Sequence, residues 1–134
     1  MSLGRNLGLK YMNFSKSFTL MLVLLPSSAL AYPVTYSCEF KTYSAKDGLH
    51  AAEDFNLTFI RDDQRDTTYM LGNNGSVEVA YFRTSDSVNI IEQTATGNLM
   101  VTTITDNNDA VHSRNSVILG DLVASQYYGS CEIR

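Results

Sequence analysis

Residues 67–82 read TTYMLGNNGSVEVAYF, and this stretch decides the fold class of the chain. Two runs rich in β-branched and aromatic residues, 67–71 and 77–82, flank the sequence GNNG. Asn-Gly between such runs is the strongest short-range hairpin signal, because both residues tolerate a positive φ. The sequence therefore predicts a β-hairpin with Asn74 and Gly75 in its tight turn.

Runs of the same kind recur about every ten residues on both sides of this hairpin. Near the start, Val34, Tyr36, Cys38 and Phe40 alternate with polar residues, which places Cys38 on the inner face of a strand. No sustained 3.6-residue periodicity is present. The pattern predicts an all-β antiparallel meander of about eight strands. These strands fall in residues 34–41, 55–59, 67–71, 77–82, 88–92, 99–105, 110–119 and 122–133.

Residues 44–54 lack a clear strand pattern. They contain two adjacent alanines and mixed charges. We expect them to form a short helical turn or a long loop between the first two strands.

The chain has two cysteines, Cys38 in the first predicted strand and Cys131 in the last. In an oxidising compartment a disulfide between them is the default. Bonding requires Cα atoms within about 7 Å, so the terminal strands must lie close together. A small closed barrel and a two-sheet sandwich both satisfy this condition, and the barrel is modestly favoured. Closing a loop of about 93 residues contributes about 4.6 kcal/mol in the chain-entropy model.

The first 31 residues resemble a secretory signal peptide. An apolar run, FTLMLVLL at residues 18–25, follows a basic segment that contains no acidic residue. An uncleaved membrane anchor is the alternative, but this eight-residue run, in which only Thr19 is polar, spans only about 12 Å as a helix, against a hydrocarbon core of about 30 Å. The basic residues are Arg5, Lys10 and Lys16.

Cleavage is predicted after Ala31, because Ala29 and Ala31 supply the small residues that signal peptidase requires. Met12 is an alternative start, since a segment from Met12 has more usual signal proportions. No cysteine lies immediately after the cleavage position, so we expect no acyl anchor of the lipoprotein kind and no membrane anchor after cleavage. The expected localisation is periplasmic or secreted.

The predicted mature chain, residues 32–134, is long enough for one domain with a single modest core. Seven of the ten basic residues and all 14 acidic residues remain, a net charge of −7. Nucleic acid and anionic membrane surfaces are therefore poor partners, because both require clustered Lys and Arg. The remaining partner classes are a small ligand or another protein.

His112 and Arg114 are the candidate catalytic residues if the chain is an enzyme. On a strand they share one face, whereas Ser113 points to the other, so adjacent Ser and His cannot act as nucleophile and base. Structural hydrogen bonds are the more common role of such residues, and we assign no catalytic residue. The other side chains considered for a catalytic set are Ser125, Asp106, Asp109 and Asp121.

The sequence predicts no metal site and no cofactor. Residues 106–109, DNND, offer oxygen atoms but lack the spacing and distal Glu of a calcium loop. The two cysteines lack neighbouring ligands at zinc spacing. Asn56 and Asn74 begin formal glycosylation sequons, which matter only where a secretory pathway glycosylates asparagine.

Seven tyrosines remain in the predicted mature chain. They would serve either as the core and rim of a small β domain or as the lining of an apolar cup with polar tips. The chain has no Trp. The tyrosines are Tyr32, Tyr36, Tyr43, Tyr69, Tyr81, Tyr127 and Tyr128.

The end of the chain, residues 110–114 (AVHSR) and 125–131 (SQYYGSC), resembles a group of small exported bacterial proteins without assigned function. The resemblance covers about residues 55–131. It implies a mature periplasmic or secreted β domain and assigns no catalytic or ligand-binding residue. The Gly-x-Trp signature of lipocalins and the tryptophans of avidin-like proteins are absent.

Two functions follow as hypotheses. The first is a non-enzymatic exported module whose β domain binds a small ligand or a protein. The second is an exported hydrolase that uses His112 with a serine or a carboxylate. The enzyme requires His112 in a concave pocket within hydrogen-bond reach of such a group, and the module requires a tyrosine-lined cavity or an exposed apolar patch.

Overall fold

The computed structural model describes residues 32–72 and 75–134, and these contain nine strands and no helix. The predicted signal peptide, residues 1–31, lies outside the described residues. The strands are β1 (Val34–Ala45), β2 (Gly48–Asp62), β3 (Thr67–Gly72), β4 (Gly75–Glu78), β5 (Ala80–Arg83), β6 (Ser87–Gln93), β7 (Leu99–Thr105), β8 (Asp109–Ile118) and β9 (Asp121–Ile133).

The strands form one antiparallel sheet in the order β4-β3-β2-β1-β9-β8-β7-β6-β5. Its two edges, β4 and β5, are halves of one run interrupted at Val79, so the eight predicted strands become nine. Val79 is buried, and its N–H donates to the carbonyl of Thr68 at 2.9 Å. Since β4 pairs with β3 and β5 pairs with β6, the sheet is a nearly closed barrel. The predicted meander and barrel are confirmed, rather than the sandwich.

Cys38 and Cys131 lie opposite each other on β1 and β9 and form a disulfide. Their Cα atoms are 3.9 Å apart, and both side chains are buried. The predicted bond between the first and last strands is confirmed. The disulfide therefore links the first and last strands of the meander, which pair directly with each other.

Side chains fill the middle of the barrel. Alternate residues of each strand point inward, and the largest fully buried ones are Phe40, Phe59, Ile90 and Ile104. Burying side chains of this size stabilises the fold by about 2 kcal/mol each. Ligand space inside the barrel is therefore confined to the regions near its two ends.

Residues 44–54 form the β1–β2 hairpin, so the predicted helical turn or loop is wrong. β1 has a register shift between Phe40 and Thr42 against both of its neighbours. Beyond the shift, pairing with β2 and β9 extends β1 to Ala45. Gly129 lies opposite Phe40, where a Cβ would collide with the backbone of Glu39. Only glycine allows β9 to approach β1 this closely.

The predicted β3–β4 hairpin is confirmed, since Gly72 pairs with Gly75. Gly75 has φ +122°, a backbone conformation that residues other than glycine rarely adopt. Gly75, predicted in the turn, is the first residue of β4, and Asn74, the other predicted turn residue, lies outside the described residues.

The barrel has two ends. The closed end carries the turns at residues 63–66, 84–86 and 106–108, and the open end carries the turns at 46–47, 94–98 and 119–120. At the open end β8 and β9 extend past their neighbours, because β7 begins opposite Asn115 and β1 ends opposite Ser125. Residues 116–124 therefore form a two-stranded projection, which we call the ribbon.

Candidate functional site

His112 lies on β8 with its ring inside the barrel and is 3 % exposed. Its Nδ1 hydrogen bonds with Oγ1 of Thr102 at 2.8 Å. The centroid of its ring is 5.9, 5.4 and 6.2 Å from the ring centroids of Phe40, Phe55 and Tyr127, respectively. The imidazole is thus a member of the aromatic core below the open end.

Burial lowers the pKa of His112 to about 4, and the positive charge of Arg114 contributes in the same direction. The ring is therefore neutral near pH 7. A neutral imidazole packed among aromatic rings stabilises the interior, provided that it stays unprotonated.

The structure does not assemble the considered catalytic set. Ser113 lies on the outer face of β8, where Gln126 donates to its hydroxyl at 3.4 Å. Among the described residues no serine or carboxylate hydrogen bonds with His112. Asp106 and Asp109 lie at the closed end, and Asp121 lies on the ribbon.

Aromatic side chains line the inner face of the open end. Tyr43 stacks on Tyr127 with centroids 5.0 Å apart and on His50 at 4.9 Å. Tyr127 also contacts Phe55 at 4.4 Å. The stack exists because Tyr43 pairs directly with His50 on β2 and with Tyr127 on β9.

Arg114 lies on β8 two residues beyond His112 and shares its face, as predicted. Its guanidinium carbon is 5.7 Å from the centroid of Tyr127, and Nη1 donates to the hydroxyl of that tyrosine at 3.4 Å. Arg114 is partly buried. No carboxylate of the described residues lies within the 4.0 Å of an ion pair with it.

A pocket of about 300 Å³ opens above this arginine, and we call it the mouth pocket. One wall is aromatic and cationic, and the other is formed by the ribbon. The lining residues are Tyr43, Ala45, Arg114, Ser116, Ile118, Val123, Ala124, Ser125 and Tyr127.

A larger concavity of about 550 Å³ lies on the outer face of the same region. It is lined mainly by short polar and aliphatic side chains, such as Ser44, Ser113 and Gln126, and by Lys46 at the β1–β2 turn. No aromatic ring lines it. The mouth pocket is smaller, but it combines aromatic rings with a partly buried charge and is the better candidate site.

The ribbon exposes apolar side chains on both of its faces. Leu119, at the tip, is fully exposed, and Leu122 is 72 % exposed. Val117 and Leu122 pair on the outer face, whereas Ile118 and Val123 lie on the face that lines the mouth pocket. Exposed apolar groups gathered in this way mark a binding surface more often than a structural one.

The closed end also contains an arginine over a tyrosine. The Arg61 guanidinium carbon is 4.5 Å from the centroid of Tyr81, whose hydroxyl is 3.2 Å from that of Tyr36. Arg61 forms ion pairs with Asp63 at 2.7 Å and Asp66 at 2.6 Å. Its side chain is 11 % exposed. Residues from three strands and one turn thus cover this end.

The described residues contain no group of three or more His, Cys, Asp or Glu side chains that could hold a metal ion. Asn56 is exposed on β2, whereas Asn74 lies outside the described residues. In residues 32–72 and 75–134 no helix is long and apolar enough to cross a membrane. A buried disulfide is compatible with an extracellular or periplasmic location.

Comparison of the chain with protein-family models, with curated proteins and with solved structures gives no significant match.

The sequence identified Arg114 but not the stack of Tyr43 and His50 beside it. Both residues lie within or next to residues 44–54, where no strand was predicted. A one-residue shift in the alternation of β1 places Tyr43 and Ala45 on the same face as Phe40. Allowing for such a bulge would have extended the predicted strand to these residues.

Proposed function

We propose that the protein is a non-enzymatic binding module whose binding site is the mouth pocket. The observation that carries this proposal is the contrast between a filled barrel interior and one partly enclosed pocket with tyrosines, an arginine and an apolar wall. Ligand sites have this composition, being mostly apolar with a few placed polar groups. The volume of about 300 Å³ restricts the ligand to a small molecule.

The scaffold suits a binding role. The disulfide joins the terminal strands, and the buried core reaches from the closed end to His112. A site held by such a core is largely preformed, so binding orders few additional groups.

The place of action is part of the proposal. We infer that residues 1–31 direct export and are removed after Ala31, which leaves a periplasmic or secreted domain of a bacterial protein. The basic segment, the apolar octet and the small residues near Ala31 support export. The disulfide supports an oxidising compartment.

The hydrolase hypothesis has less support from the geometry. It requires His112 to accept a proton from a nucleophile, and the ring is enclosed by aromatic side chains with Thr102 as its hydrogen-bond partner. A pKa of about 4 makes the ring a weak base. Loss of a measured hydrolytic activity in the variant His112→Asn would favour the enzyme over the module.

Protein binding through the ribbon is the second candidate. The apolar side chains on its outer face, Val117 and Leu122, do not line the mouth pocket and are exposed. The variant Leu122→Ser separates the two candidates: it should leave small-ligand binding intact, whereas a protein partner that uses the ribbon would be lost.

The test is ligand-observed NMR of the purified protein with a panel of small amphipathic compounds. We expect compounds that bind the protein and lose binding in Ser116→Phe, because Ser116 lines the mouth pocket but not the outer concavity, and the larger side chain fills the pocket. Ser130→Phe is the control, since Ser130 is exposed on the outer face of β9 and lines neither of these pockets. Equal binding to both variants would show that the site lies elsewhere.

A further inference from the structure

The guanidinium of Arg114 is the unusual group at the open end. It is partly buried, its hydrogen bond to the tyrosine hydroxyl is long at 3.4 Å, and no carboxylate of residues 32–72 and 75–134 pairs with it. A charge held partly out of water without a counter-charge is costly. An anionic group beside it would offset that cost.

The ionisable groups near Arg114 leave it as the dominant charge of the mouth pocket. Glu92, on β6, is an acid on the same inner face, and Met100 of β7 lies between them, since it pairs with Glu92 on one side and with Arg114 on the other. Burial raises the pKa of Glu92, and the charge of Arg114 opposes that rise. His112, which lies below the mouth pocket, is neutral near pH 7, and Glu92 does not line the pocket.

The lining residues follow a polarity gradient. Arg114 and Ser125 pair at the base of the pocket, next to the tyrosine rings. Farther out, Ser116 pairs with Val123, and Ile118 follows towards the tip of the ribbon. A molecule in the pocket therefore meets charge and hydroxyl groups at its inner end and aliphatic groups at its outer end.

Resting on the function proposed above, we propose that the mouth pocket binds a small monoanionic amphiphile, with a carboxylate on Arg114 and an apolar body against Ile118 and Val123. The planar guanidinium matches a carboxylate with two parallel hydrogen bonds. The tyrosine hydroxyl and Ser125 can donate to the same group. The volume of about 300 Å³ lies at the lower limit for ligand sites, so the apolar body is short.

A single negative charge fits better than several. The predicted mature chain has a net charge of −7, and Glu92 faces the same end of the barrel. A polyanion such as a nucleotide would meet one arginine and this repulsive background. The ribbon wall in turn offers apolar contact and no cation.

The test compares three eight-carbon probes of equal length: octanoate, octanamide and octylammonium. Binding to the purified protein is measured by titration calorimetry below the aggregation concentration of each probe. We expect octanoate to bind at least tenfold more tightly than octanamide and octylammonium to bind most weakly. In Arg114→Gln the preference of octanoate over octanamide should disappear. Arg65→Gln is the control, because it removes the same charge from an exposed site at the closed end.

The possible outcomes separate this inference from the proposed function. Equal binding of octanoate and octanamide, lost in Ser116→Phe, would keep the mouth pocket as the site and contradict recognition of an anionic group. Tighter binding of octylammonium would make Glu92 the recognising group and overturn the inference as well. Absence of binding by all three probes, and by the NMR panel, would contradict the proposed function itself. Arg114→Lys keeps the positive charge but lacks the two parallel donors of the guanidinium. If Arg114→Gln fails to fold, a reduced but remaining preference for octanoate over octanamide in Arg114→Lys supports the carboxylate contact.

Discussion

Each end of the barrel places an arginine over a tyrosine ring, but the two ends treat the charge differently. At the closed end Arg61 is held by two carboxylates, Asp63 and Asp66, at 2.7 and 2.6 Å. At the open end Arg114 has no ion pair among the described residues, and a pocket lies above it. The same pair of residue types is thus covered by ion pairs at one end and lies beneath a pocket at the other.

Local sequence explains the difference. Asp63 and Asp66 follow Arg61 in the β2–β3 turn, so the chain supplies both counter-charges within five residues. Arg114 lies in the middle of a strand whose inward neighbours are His112 and Ser116, and neither is an acid. A partner for Arg114 must come from another strand or from outside the molecule.

The largest expected effect concerns the disulfide between Cys38 and Cys131, which lies in the packed core between the two ends. Cys38→Ser should lower the free energy of unfolding by about 2 to 5 kcal/mol, because it releases loop-closure entropy to the unfolded chain. Thermal unfolding with and without reductant, together with thiol titration of the native protein, measures this. Two free thiols in the native protein, or a melting temperature indifferent to reductant, would contradict a structural role for the bond.

A second prediction concerns pH and His112, directly below the open end. The unfolded histidine titrates near 6.5 and the folded one near 4, so the unfolded chain binds more protons between these values. Stability should therefore fall as the pH decreases from about 6.5 to 4, by about 3 kcal/mol in total. Chemical denaturation at a series of pH values measures the slope.

The control for this pH dependence is His112→Asn, whose amide can retain the hydrogen bond with Thr102. In this variant the slope between pH 6.5 and 4 should largely disappear. Glu92 acts in the opposite direction, because a carboxyl with a raised pKa in the folded state gains stability on acidification. An unchanged slope in the asparagine variant would assign the acid sensitivity to other groups.

The third prediction compares the two arginines directly. Arg61→Met should lower stability by about 1 to 2 kcal/mol, because it removes the contact with Tyr81 and two ion pairs whose carboxylates are mostly exposed. Arg114→Met should leave stability unchanged or raise it slightly, because loss of the contact with Tyr127 is offset by removal of a partly buried charge that has no ion pair among the described residues. Urea denaturation of both variants measures the difference. Equal losses would mean that Arg114 also has a structural role.

The smallest expected effect concerns Gly75, at the start of β4. Gly75→Val should cost about 1 kcal/mol, because its positive φ disfavours a β-branched residue. A Cβ there would meet no atom within 4 Å, so the cost is confined to the backbone. Ser76→Val, at the next exposed position, should be nearly neutral. An unchanged denaturation midpoint for the Gly75 variant would show that this φ is not required.

Alternation and turn residues predicted most of the barrel. The run 67–82 indicated its hairpin, and the alternation from Val34 to Phe40 indicated the inward orientation of Cys38. The division of residues 75–83 at Val79 was not visible, because a bend in a strand depends on which neighbours pair with each half. The β1–β2 hairpin beyond Phe40 was missed for a related reason. A register shift between Phe40 and Thr42 interrupts the period of two, so the alternation of inward and outward residues after it is no longer recognisable in the sequence.

The candidate site was predicted only in part. Strand geometry alone placed His112 and Arg114 on one face and Ser113 on the other. It did not show that Tyr43 stacks on Tyr127, since these residues are far apart in the chain and meet only because β9 pairs with β1. Nor did it show the ribbon as a free projection, which depends on where β1 and β7 end.

The sequence alone indicated most of the strands, their alternation, the pair of cysteines and the orientation of side chains along each strand, because these follow from local preferences and a period of two. Closure of the sheet, the lack of a carboxylate partner for Arg114 among the described residues and the pocket beneath the ribbon became visible only in the tertiary structure. Closure, cavities and contacts from other strands depend on distances between segments that are remote in sequence, and no local pattern encodes those distances.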